Sequence, residues 1–209
     1  MRKLSVLELD WCQAGFYDAQ ESEKITDALT MNQVHSADCL YLTEKPSENP
    51  SVDALITNKA GLKLAVKTAD CAPVLIADKK AHLVAAIHAG WKGAFQGVIE
   101  STVLKMIELG GNPLNMAAGI GPHLQLQSFE VSSEMQALFP KTEYSFFVQK
   151  NGKIHFDFDA YVTHRLRRSG IGSIESVGED TYSNNQYNSY RRDSENPARQ
   201  LSTIEIKEV

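Results

Sequence analysis

The feature that most constrains this chain is a set of short apolar, β-branched-rich runs at its centre. Leu62–Val66, Val74–Ala77 and Leu83–Ile87 each read as a strand. Asp78-Lys79-Lys80-Ala81-His82 reads as a turn, which makes the last two runs a hairpin. A polar, proline-containing loop at residues 44–52 separates this centre from the first third of the chain.

Helical spacing takes over next. Phe95, Val98, Ile99, Thr102, Met106 and Leu109 recur every three or four positions, which predicts a helix from Gly93 to Leu109. Gly110-Gly111-Asn112-Pro113 stops it, because glycine accepts a left-handed cap and proline cannot continue a helix. Met116–Ile120 reads as a buried strand ending at Gly121-Pro122, and Ser133–Leu138 as a short helix. Ser145–Gln149 and Lys153–Phe156 flank Asn151-Gly152, a hairpin signal. Asp157 or Asp159 caps a helix running to about Arg168, with Phe158, Val162 and Leu166 on one stripe. A final strand near Ile174–Val177 leads to a polar tail. Mixed strands and helices with frequent hairpins predict an α+β arrangement rather than a purely parallel one.

Composition excludes several classes. With 209 residues, 43% of them hydrophobic, the chain can bury a sizeable core, and one domain over residues 1–209 is the expectation. The net charge is −5, and the basic stretches Arg165–Arg168 and Arg191–Arg192 are short, so no nucleic-acid footprint is expected. Nothing apolar is long enough to span a membrane, and the N-terminal residues lack the apolar stretch of a signal peptide. A cytoplasmic monomer is therefore expected. Three cysteines in a reducing compartment argue against a disulfide framework and leave metal or catalytic use open.

Three segments carry candidate chemistry at the ends of expected strands: Asn32-Gln33-Val34-His35, Thr68-Ala69-Asp70-Cys71 and Ile87-His88-Ala89-Gly90-Trp91. Two histidines and one cysteine match the ligand count of a catalytic zinc site, which keeps a fourth position for water. Zinc-bound water loses its proton near neutral pH. The spacing matches no local zinc signature, and two other arrangements use the same residues. Cys71 with His88 as its base would make a metal-free nucleophile. A packed cysteine with two hydrogen-bonded histidines would be ordinary structure.

The motifs are more specific together. Asn32–His35, Asp53-Ala54-Leu55-Ile56-Thr57-Asn58, Thr68–Leu75, His88-Ala89-Gly90-Trp91-Lys92-Gly93, Gly119-Ile120-Gly121-Pro122 and Ser189-Tyr190-Arg191-Arg192-Asp193 occur in this order. The chain resembles, from about Asn32 to Asp193, the YfiH-type family, also called multicopper polyphenol oxidoreductase (laccase-like), purine nucleoside phosphorylase or peptidoglycan editing factor. The resemblance implies a layered α/β/β/α fold with mixed sheets and zinc, or copper, on His35, Cys71 and His88. It implies phosphorolysis of adenosine, inosine and methylthioadenosine and deamination of adenosine. A peptidoglycan-precursor amidase and a copper-dependent phenol oxidase are the alternatives at the same centre. The expected partners are thus a small nucleoside with phosphate, or a peptidoglycan precursor.

Further residues are assigned around the ligands. Cys71, His88 and Asp70 are the catalytic candidates, Asp70 as acid, base or orienting carboxylate; a turn cap is its ordinary role. Arg191 and Arg192 are candidates to clamp phosphate, or form a solvated pair. Trp91 is a candidate to stack on a base, or packs as a buried aromatic. Gly90 and Gly93 flank a helix start, where free N–H groups suit an anion and a tight turn also needs glycine. His123 is a lesser candidate for the site. His82, His155 and His164 read as ordinary turn, strand and helix residues, and Cys12 and Cys39 as core. The chain departs from the family pattern in a shortened, divergent N-terminal segment (residues 12–31), at His123–Gln127, at Asp180 where a cysteine is usual, and at Tyr187 and Asn188.

Overall fold

The computed structural model describes residues 1–208. In chain order the first half comprises β1 (Cys12–Phe16), α1 (Ala19–Ser22), β2 (Cys39–Leu42), β3 (Ala54–Thr57), β4 (Leu64–Thr68), β5 (Ala72–Asp78), β6 (Leu83–Ala89), α2 (Trp91–Gln96) and α3 (Val98–Glu108). The second half adds β7 (Met116–Ile120), β8 (Glu130–Val131), α4 (Ser133–Ala137), β9 (Phe147–Lys150), β10 (Lys153–Phe156), α5 (Phe158–Arg168), β11 (Ser173–Ser176) and β12 (Gln200–Ile206).

A six-stranded sheet in the order β11-β7-β5-β6-β3-β2 forms the middle of the molecule. It is mixed: β11–β7 and β2–β3 are parallel, while β5–β6, β5–β7 and β3–β6 are antiparallel. The apolar runs of β5 and β6 have no solvent face because each side is covered. Val74, Ile76, Ala85 and Ile87 point into one core with Val98, Ile99, Val103 and Met106 of α3 and Tyr161, Val162 and Leu166 of α5. Leu75, Ala77, Val84 and Ala86 point the other way, into a second core with Phe16, Leu64, Val66 and Ile204. Burial on both faces turns alternation into a continuous apolar run. The second core is roofed by a three-stranded sheet, β1-β12-β4, and α1 contacts β12 from outside. A small sheet, β8-β10-β9, extends the helical side. The expected layered α+β arrangement with mixed sheets is what the chain adopts.

The expected β5–β6 hairpin, β7 and α5 form as read, and Asp157 caps α5 by accepting the Ala160 N–H at 3.0 Å. Asn151 and Gly152 both have positive φ, 52° and 75°, as a tight hairpin turn demands. Two expectations need correction. The helix read as Gly93–Leu109 is two helices, because Gly97 takes φ 101° and closes α2 with its N–H on the Gly93 and Ala94 carbonyls. That left-handed cap breaks the axis while leaving the apolar spacing nearly in phase. Nor is Ile174–Val177 the last strand. The polar tail leads to β12, which pairs antiparallel with both β1 and β4. Its buried Gln200, Ser202 and Thr203 disguise a central strand as a polar stretch.

Candidate metal centre

His35, Cys71 and His88 come together although only one of them sits within a strand. His88 lies in β6, directly opposite Pro73 of β5. Cys71 occupies the turn just before β5, and His35 lies in an irregular loop before β2. The expectation that all three stand at strand ends therefore fails for His35. Their ligand-type atoms lie within 4.8 Å of one another, and His35 Nε2 is 3.8 Å from Cys71 Sγ. A tetrahedral zinc ion would hold nitrogen and sulfur about 3.6 Å apart, so this donor set fits with a small closure. Among the described residues it is the one group of three or more histidine, cysteine or acidic side chains so placed.

Asp53 builds this geometry from below. It is fully buried, and its carboxylate accepts from the N–H groups of Val34, His35 and Ser36 at 3.2, 3.0 and 2.6 Å. Three consecutive amides converging on one anion form a backbone nest. That nest holds His35 at φ 60°, a conformation few non-glycine residues adopt. The same carboxylate takes the Ser36 hydroxyl at 2.9 Å and His88 Nδ1 at 2.7 Å. Its proton held on Nδ1, His88 presents Nε2 to a metal. Burial alone would raise the Asp53 pKa, but the bonds from His88 and Ser36 prevail and bring it down to about 2. Burial raises the Cys71 thiol, yet His35 and His88 outweigh it and bring it to about 6. His88 moves upward, because Asp53 and Cys71 together outweigh its burial.

Asp70 has a different place. It sits at φ 83°, and its two oxygens accept from the Thr181 hydroxyl and the Arg191 amide, each at 2.6 Å. It ties the turn that carries Cys71 to the late loop, and the carboxylate in contact with His88 is Asp53. Gly90 leaves room for the donor set: a Cβ there would lie 2.6 Å from His35 Cδ2 and 3.2 Å from Cys71 Sγ.

These groups open into a cleft of about 840 Å³. Asp70, Trp91, Lys92, Phe129, Tyr190 and Arg191 contribute to its walls. Arg191 lies over the Phe129 ring and donates through Nη1 to the carbonyls of Ser128 and Glu130. Arg192 does not join it. Its guanidinium is engaged by the carbonyls of Thr181, Tyr182 and Tyr187, so of the two arginines expected at the site only Arg191 reaches the cleft. Trp91 opens α2, partly buried against Phe139, and still reaches the cleft. His123 stays outside: fully buried, it bonds the Gly121 carbonyl at 2.8 Å. His82 stacks on Trp11, while Cys12 and Cys39 are free thiols away from the cleft. Asp180 accepts from the Gln125 amide and the Ser128 hydroxyl, pinning the segment behind Arg191.

Sequence reasoning missed Asp53 as a site residue. The signal was a lone aspartate directly before the buried run Ala54–Thr57, where an ionised side chain must find partners.

Known proteins share this arrangement of chain. A family model described as multi-copper polyphenol oxidoreductase laccase matches residues 16–207. A protein of Rickettsia conorii named purine nucleoside phosphorylase is 37% identical over 175 residues, covering 81% of this chain and 72% of its own. The Escherichia coli protein named purine nucleoside phosphorylase YfiH is 36% identical over 167 residues, covering 78% and 68%. A crystal structure of a Neisseria meningitidis protein superposes with a TM-score of 0.79 at 30% identity, over 87% of this chain and 75% of that one. On this match of residues 16–207, the chain belongs to the YfiH family, described as the multi-copper polyphenol oxidoreductase laccase family.

Proposed function

We propose that this chain is a zinc-dependent purine nucleoside phosphorylase that cleaves adenosine, inosine and methylthioadenosine and also deaminates adenosine. One observation carries the reading: a His-Cys-His donor set opens into a cleft whose cationic side chains suit phosphate. Zinc held by His35, Cys71 and His88 would supply a Lewis acid with one exchangeable position. The relatives named purine nucleoside phosphorylase support the choice of reaction.

The chain's own residues have distinct tasks. Asp53 keeps the His88 proton on Nδ1 and fixes the backbone at His35. Arg191, held at Nη1 by two carbonyls, directs its remaining N–H groups as donors for phosphate oxygens. Trp91 and Tyr190 offer aromatic surface for a purine. A phenol oxidase using several coppers would need more donor clusters than the single one among the described residues.

The purified protein, incubated with inosine and phosphate, should yield hypoxanthine and ribose 1-phosphate, and Cys71→Ala should abolish the yield. Metal analysis should give about one zinc per chain. Absence of turnover with all three nucleosides, together with cleavage of a seryl-muramoyl precursor, would replace this reading with the amidase.

A further inference from the structure

The cleft is strongly cationic in an acidic protein. Lys67, Lys92, Arg191 and Arg199 line it beside a single carboxylate, Asp70, in a chain of net charge −5. Both oxygens of Asp70 are engaged by Thr181 and Arg191, and among the described residues no carboxylate lies within 4.0 Å of any of the four cations. Unpaired cations gathered on concave walls focus potential on an anion.

Two of the four mark a second position. Lys67 and Arg199 also line an adjoining pocket of about 290 Å³, together with Ser22, Glu23, Pro197 and Leu201. None of the three metal-type ligands lines that pocket, nor do Trp91 and Arg191. Both cations stand on fixed backbone. The Gln33 side chain clamps Lys67, accepting its N–H at 2.8 Å and donating to its carbonyl at 2.7 Å. Arg199 donates through Nη1 to the carbonyls of Asn196 and Ala198 at 3.1 and 2.7 Å. That is the design already seen at Arg191: one nitrogen anchors the guanidinium and the others stay free. Glu23 shares the pocket and opposes an anion on its side, which leaves the Lys67–Arg199 junction as the favourable spot.

We infer that Lys67 and Arg199 form a subsite for a phosphoryl group carried by the substrate itself, so that the chain binds nucleoside 5′-monophosphates in preference to nucleosides. This rests on the nucleoside reading of the cleft. A co-substrate phosphate must meet the reacting carbon near the donor set, whereas the second pocket is lined by none of the three donors. The cleft volume lies toward the upper end of the ~300–1,000 Å³ range of small-molecule sites, leaving room beyond base and ribose.

Calorimetric titration of the full chain with adenosine and with adenosine 5′-monophosphate, without added phosphate, tests this. The monophosphate should bind about tenfold more tightly, as expected for two charge-assisted contacts, and the advantage should shrink with added salt. Lys67→Met and Arg199→Met should each remove most of that advantage and leave adenosine affinity unchanged. Lys67→Met keeps the test open if Arg199→Met disturbs the 196–198 turn. Equal affinity for the two ligands would overturn the subsite and leave the nucleoside reading standing. Binding of neither would overturn both. A rise in KM for inorganic phosphate in the two variants, with no monophosphate preference in the parent, would overturn it by assigning the cations to the co-substrate.

Discussion

The two walls of the cleft are built by different physics. The inner wall, with Cys71 and His88 backed by the buried Asp53, is anchored on the six-stranded sheet, where β5 and β6 are buried along their whole length. The outer wall is the stretch 177–199 between β11 and β12, which presents Tyr190, Arg191 and Arg199 without a helix or strand ladder of its own. Its order comes from side chains bonding backbone: Arg192 to three carbonyls, Asp180 to the Gln125 and Tyr182 amides, and Gln200 to the Asn188 amide. Cooperative burial holds the groups that would grip a metal, whereas a set of local hydrogen bonds holds those that would contact a ligand. The inner wall should thus fail as part of the whole fold, and the outer wall should fail alone.

The largest effect is expected at Asp53. Asp53→Ala removes the acceptor of five hydrogen bonds and leaves the Val34, His35 and Ser36 amides and His88 without their partner. Losing a buried charged partner costs about 3–5 kcal/mol, and losing the group that orients a ligand histidine costs about 10–100-fold in metal affinity. Urea unfolding and a competitive zinc titration measure the two. A variant that kept both would show that the inner wall is not organised by this carboxylate.

Acid should act on the same group with a smaller effect. The Asp53 pKa is lowered in the folded protein, to about 2, so its contribution is complete above the unfolded value of about 4. Stability should then fall as pH drops through the window from about 4 to about 2, and Asp53→Asn should flatten that part of the curve. An unchanged profile in the variant would mean that other carboxylates govern acid unfolding.

How much of each wall was legible follows from the same contrast. The inner wall's strands announce themselves, since burial on both faces leaves unbroken apolar runs such as Val74–Ala77 and Leu83–Ile87. The grouping of His35, Cys71 and His88 was reachable through its motifs, although spacing gave no hint that a loop would bring His35 to Cys71. Asp53 escaped because Asp70, adjacent to Cys71 in sequence, looked like the natural supporting carboxylate. Proximity along the chain misled; register decided, since the backbone carbonyl of Asp53 receives the His88 amide at 2.7 Å. The outer wall carries no periodicity. Arg191 and Arg192 are adjacent and chemically identical, and only the folded loop shows that one faces the cleft while the other laces the loop.

That pair gives the next test. Arg192→Met deprives three carbonyls of their donor and should cost about 1–3 kcal/mol. Amide exchange should accelerate across residues 181–187, with little change in β5 and β6. Arg191→Met, which loses two exposed hydrogen bonds and the contact with Phe129, should cost at most about 1 kcal/mol and raise the KM for phosphate about tenfold. Equal destabilisation by the two would erase the division of labour between them.

The smallest effect on stability separates ligand geometry from fold within the inner wall. Gly90 has φ −71° and ψ 159°, an ordinary extended conformation, so alanine meets no backbone penalty there. Its Cβ would sit 2.6 Å from His35 Cδ2, the outer part of an exposed imidazole that can swing away. Gly90→Ala should therefore change stability by less than about 1 kcal/mol, since overpacking is costly chiefly where neighbours cannot yield. The same swing removes one ligand from the set, and zinc affinity should fall at least about tenfold. Gly93→Ala supplies the contrast three residues on. Its Cβ would meet the Ser36 carbonyl oxygen at 2.8 Å, a backbone atom in the nest around Asp53. Relief there requires moving the loop, so Gly93→Ala should lower the melting temperature as well as metal affinity. If both variants lose stability equally, His35 is locked as firmly as the sheet itself. If Gly90→Ala alone spares the fold, His35 is the adjustable ligand of the three, and Cys71 and His88 are the fixed pair against which it closes.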